Sequence, residues 1–115
     1  MPRRKGLTLT PAESAVVTDW QGWRRANRLG SVGDLAAQLD IDRSTLSRWS
    51  NGSRAMSTEA VRAVLRAMRT EAPQHLIRLD VTADADVRDE IRALRHLELS
   101  EAPVAGRGRA FAASL

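Results

Sequence analysis

The stretch Leu35 to Arg54, LAAQLDIDRSTLSRWSNGSR, decides how the rest of the chain is read. Leu35, Ala36 and Leu39 give a short helix an inner face, Ser31 ahead of them is placed to cap it, and Asp34 falls near its positive end. Asp40 ends that helix, Ile41 plugs the connection, and Asp42 caps a further short helix from Arg43 to about Ser50. Asn51-Gly52-Ser53 then breaks the chain. At 100° per residue, Arg43, Ser44, Ser47 and Arg48 fall between 0° and about 140°, whereas Thr45, Leu46 and Trp49 fall between about 200° and 300°. One face is polar and rich in hydrogen-bond donors; the other is apolar.

Upstream, Thr10-Pro11-Ala12-Glu13 has the form of a capping box with proline at the first helical position. Ala12, Val16, Trp20 and Trp23 make one stripe of a helix expected over 11–29, with Gly30 as its left-handed stop and both tryptophans as core anchors. Downstream, Ser57 or Thr58 starts a helix through Val61, Val64, Leu65 and Met68 that ends before Pro73. Beyond the proline, Ile77, Leu79 and Val81 alternate with Arg78 and Asp80, which predicts a strand over 75–81. A helix from about 84 to 99 follows, with Val87, Ile91 and Leu94 on one face. The expected organisation is a basic N-terminal arm (1–9), a helical domain (10–72), a strand-plus-helix appendage (73–101) and a flexible tail (102–115). The fold class expected is mainly α, with four to five helices in the main domain.

Composition narrows the function classes. A chain of 115 residues, 43% hydrophobic and 28% charged, is one ordinary globular domain or a small domain with an appendage. The absence of cysteine excludes disulfide frameworks, thiolate metal sites and cysteine nucleophiles. No apolar run approaches the roughly 20 residues of a membrane span, and Met1-Pro2-Arg3-Arg4-Lys5 leads into no secretion signal, so a cytoplasmic location is expected. His75 and His96 are too few for a metal cluster. Asp84 and Asp86 do not continue into a calcium loop, and Gly106 and Gly108 do not cradle a phosphate. Neither an enzyme nor a cofactor or metal is expected. Residues 1–70 carry twelve basic and six acidic side chains, a balance of +6, against −2 for residues 71–115. Seventeen of the 18 cations are arginine, which suits bidentate contacts to phosphate or guanine.

An α-helix fits the major groove of B-DNA, where arginine bonds guanine O6 and N7 and serine hydroxyls reach bases or phosphates. The chain resembles the helix-turn-helix domains of phage repressors, the lambda-repressor-like or Cro/C1 type, over roughly residues 3–70. The resemblance rests on L-A-A-Q-L-D-I-D-R-S-T-L-S-R-W-S-N-G from Leu35 to Gly52, together with the basic arm ahead of a long first helix. It implies that Asp42, Arg43, Ser44, Ser47 and Arg48 read bases, and that Asn51 and Arg54 stand near phosphates. Arg3, Arg4 and Lys5 match the arm that wraps the duplex. Three positions depart from the family pattern: Val32 stands where glutamine often braces the motif, Asp40 where glycine usually makes the turn, and Ser50 where an acidic residue often precedes Asn-Gly. The function expected is a sequence-specific double-stranded DNA-binding transcriptional regulator, a repressor of phage or prophage type. One module buries only about 600–1,000 Å² on DNA, so two copies on a palindrome are expected, paired through the strand at 75–81. The alternatives are an antitoxin-like interaction module with autoregulatory DNA binding and an accessory protein of recombination. Neither a small-molecule ligand nor a membrane partner is expected.

Overall fold

Each of the first three helices is opened by a polar side chain and closed by a left-handed residue. In α1 (Pro11–Ala26) the Thr10 hydroxyl accepts from the Glu13 N–H at 3.2 Å, and the Glu13 carboxylate accepts from the Thr10 N–H at 2.7 Å. This is the expected capping box. The computed structural model, which describes residues 6–96, ends α1 at Ala26, short of Leu29. Arg28, at φ 60°, already reverses the chain: its N–H reaches the Arg25 carbonyl at 3.1 Å and the Leu29 N–H reaches the Arg24 carbonyl at 2.8 Å. The left-handed stop therefore falls two residues before Gly30.

The same device ends α2 (Val32–Leu39) at Asp40, φ 57°, where the Ile41 N–H bonds the Ala36 carbonyl at 2.8 Å. It ends α3 (Arg43–Ser50) at Gly52, φ 81°, where the Ser53 N–H bonds the Arg48 carbonyl at 2.9 Å. α4 (Thr58–Glu71) is capped by the Ser57 hydroxyl, which accepts from the Ala60 N–H at 3.2 Å, and it stops before Pro73 as expected.

The segment expected as a strand over 75–81 is instead a helix, α5 (Pro73–Thr82), with proline in its first turn. Leu76, Leu79 and Ala83 are buried at spacings of three and four, while Ile77 is 58% exposed and Val81 77% exposed. The alternation of Ile77, Leu79 and Val81 thus joined one inward residue to two outward ones, and the helical period lay in Leu76 and Leu79. With no strand there, the joint sheet expected to pair two copies has nothing to form on. α6 follows over 85–96, with Val87, Ile91 and Leu94 buried as expected. Its expected continuation to 99, the tail at 102–115 and Arg3, Arg4 and Lys5 lie outside the described residues.

The described chain is a compact, all-helical globule of six helices with one core. Trp20, Leu35, Leu46, Trp49, Val61 and Leu65 from the first four helices share that core with Leu79, Ile91 and Leu94 from the last two. Leu7 and Leu9, counted with the arm in the sequence, are buried in it as well. Leu7 forms an antiparallel bridge with Met56, with bonds of 2.8 and 3.0 Å. Gly6 allows this approach, because a Cβ there would lie 2.7 Å from the Met56 carbonyl oxygen.

Candidate nucleic-acid interface

The site is assembled from α2, the turn at 40–42 and α3. Ser31 and Asp34 form a reciprocal cap on α2, and the Ser31 N–H holds the Asp34 carboxyl below the usual carboxylate range. Asp40, standing where glycine usually makes the turn, adopts the left-handed conformation. Asp42 then opens α3: its Oδ2 accepts from the Ser44 hydroxyl at 2.6 Å and from the Thr45 N–H at 3.1 Å. The Ser44 hydroxyl first, then the Thr45 N–H, keep this carboxyl ionised to lower pH than usual.

Register along α3 follows from what it buries. Leu46 and Trp49 are fully enclosed, which turns Arg43, Ser44, Ser47 and Arg48 to solvent together with Asp42. All five residues expected to read bases are therefore exposed: Arg43, Ser44, Ser47 and Arg48 on one side of α3, and Asp42 at its N-cap. The aliphatic end of Arg43 lies over Gly33 of α2: a Cβ at Gly33 would stand 3.5 Å from Arg43 Cδ and Nε. Among the described residues, Arg43, Arg48 and Arg54 make no ion pair. Asn51 and Arg54 are exposed just beyond α3, where the Asn51 side-chain oxygen accepts from the Ser53 N–H at 3.0 Å. Asp42 and Asn51 thus already serve the backbone, whereas the arginines are uncommitted.

Beside the buried Leu46 and Trp49, α3 is held to the body by polar contacts that were not visible in the sequence. Ser50, 4% exposed, donates to the Leu46 carbonyl at 2.8 Å and accepts from Gln21 Nε2 of α1 at 2.6 Å. Its own carbonyl accepts from the Ser14 hydroxyl. The approach to α2 is held by Arg24, 1% exposed, whose Nε meets Glu71 Oε1 at 2.8 Å. The same guanidinium reaches the carbonyls of Leu29, Gly30 and Ser31 at 3.1–3.4 Å and lies 5.8 Å from the centre of the Trp20 ring. The one sequence signal for Gln21 and Arg24 is their place on the buried side of α1, four residues after Val17 and Trp20 respectively.

Among the described residues no cluster of three or more His, Asp or Glu could hold a metal ion, and no helix is long and apolar enough to cross a membrane. Comparison of the chain with protein families, curated proteins and solved structures gives no match.

Proposed function

We propose that this chain is a sequence-specific double-stranded DNA-binding transcriptional regulator of the helix-turn-helix, lambda-repressor-like kind, a repressor of phage or prophage type whose α3 enters the major groove. The observation that carries the reading is the exposed row Arg43, Ser44, Ser47 and Arg48, whose two arginines make no ion pair among the described residues, on a helix whose other side is packed into the core. Arg43 and Arg48 suit guanine O6 and N7, and the serine hydroxyls suit base edges or phosphates. Asp42 acts chiefly as the cap that starts the helix, because its Oδ2 already accepts from Ser44 and Thr45. Arg54 and the basic residues Arg3, Arg4 and Lys5 supply phosphate contacts, and Asn51 shapes the turn that follows α3.

Two copies on a palindromic operator supply the affinity that one small module lacks. The activity is binding rather than catalysis. Selection of bound fragments from random duplex DNA by the full chain tests this directly. The expected product is a two-fold symmetric consensus with half-sites about 10 base pairs apart. Recovery of unenriched sequence would sink the reading.

A further inference from the structure

We propose that the outer face of α5 and α6 is a docking surface for an acidic, amphipathic segment of another protein. The proposal does not depend on DNA binding. Ile77 and Val81, one helical turn apart on α5, are 58% and 77% exposed, and together with Leu29 they are the exposed large hydrophobic side chains of the described chain. Val81 also lines a cleft of about 350 Å³, together with Asp80, Arg88, Arg92 and Arg95. The three arginines recur at spacings of four and three along α6, so they share one side of that helix.

Their commitments differ. Arg95 is paired with Asp80 at 3.0 Å, and Arg88 donates to the Ala83 carbonyl at 2.9 Å while its buried Nε has no acceptor. Arg92 is exposed and makes no ion pair or hydrogen bond among the described residues. Three guanidinium groups against one carboxylate leave the cleft at +2. An apolar pair bordered by surplus positive charge matches a ligand with apolar residues on one side and carboxylates on its margin.

Two other occupants fit less well. DNA phosphates gain nothing from Ile77 and Val81 and would meet Asp80. A second copy seated by a two-fold axis would set this cationic cleft against itself. The face also lies away from α3. On α1, Ser14 and Gln21 bond α3, whereas Asp19 and Trp23 meet Arg78 and His75 of α5. At 100° per residue those two sets stand about 170° apart around the helix. A partner on α5 and α6 therefore leaves the outward side of α3 open.

The test is fluorescence anisotropy with the full chain and a labelled helical peptide of about 15 residues in which leucine and glutamate alternate with helical period. Ile77→Ser/Val81→Ser and Arg92→Glu change exposed positions, and circular dichroism checks that each still folds. The expected result is saturable binding by the wild type, weakened about tenfold or more by either variant, with duplex affinity unchanged in Ile77→Ser/Val81→Ser. Three results would overturn the proposal. One is equal binding of a peptide with serine in place of leucine, which marks a plain polyanion site. Another is a fall in duplex affinity in Ile77→Ser/Val81→Ser, which marks a DNA surface. The last is a wild-type dimer that Ile77→Ser/Val81→Ser splits in sedimentation with no peptide bound, which marks a second copy.

Discussion

Replacing Arg24 by methionine removes one guanidinium that serves two ends of the fold. Its Nε and Nη2 reach the Glu71 carboxylate at 2.8 and 3.3 Å, and its remaining bonds go to the carbonyls of the loop between α1 and α2. Deleting one partner of a buried ion pair costs about 3–5 kcal/mol, because the other charge is left in a poor solvent. Glu71 keeps 14% of its side chain in contact with water, which places the cost at the low end of that range. The loop carbonyls, at 3.1–3.4 Å, add about 0.5 kcal/mol each at most. The expected loss is about 3–4 kcal/mol, a large share of the roughly 5–15 kcal/mol that holds a small domain folded. Urea titration followed by tryptophan fluorescence reads it, since Trp20 and Trp49 are fully enclosed. The double variant Arg24→Met/Glu71→Leu should recover about 1–3 kcal/mol of the loss, because it removes both charges together. A single-variant loss below about 1 kcal/mol with no recovery in the double variant would refute the reasoning.

Asp40→Gly should raise stability by up to about 1 kcal/mol by relieving the left-handed backbone, whereas Asp40→Val should lower it by about 1–2 kcal/mol; thermal midpoints in the reverse order would contradict this. Glu13 accepts from the Thr10 and Asp84 N–H groups at 2.7 Å each, so Glu13→Gln, which keeps one acceptor oxygen, should cost about 1–3 kcal/mol in a urea titration. Burial, then the nearby Arg78 charge, push the His75 imidazole below its ordinary value, with Asp19 opposing. As pH falls through about 6.5 the unfolded chain takes up this proton before the folded one does, so stability should drop between pH 7.5 and 5. His75→Gln should flatten that drop, and identical midpoint changes in variant and wild type would refute the assignment.

Much of the first four helices was legible because their signals are local. Thr10 with Glu13, Ser31 with Asp34, Asp42 and Ser57 each announce a helix within three residues, and each caps one. The exposed row on α3 was legible for the same reason, since Leu46 and Trp49 fix its rotation. α5 was missed because Ala72 provides no side-chain cap and because Ile77 and Val81, both apolar, face outward. The polar braces were hidden because their partners are remote in sequence. Gln21 meets Ser50 across 29 residues, Arg24 meets Glu71 across 47, and Glu13 meets Asp84 across 71. Nor does any local pattern bring Leu7 beside Met56, a pairing that only the folded chain creates.

In the proposed function the outward side of α3 discriminates among base pairs. The most direct measurement of this is the affinity of the wild type and of Arg48→Ala for the selected operator and for a scrambled duplex at one salt concentration. Arg48→Ala should lose about 1–3 kcal/mol on the operator and far less on the scrambled duplex, so that the ratio between them collapses. Equal losses on both duplexes, or a wild type that binds both alike, would contradict the proposed function.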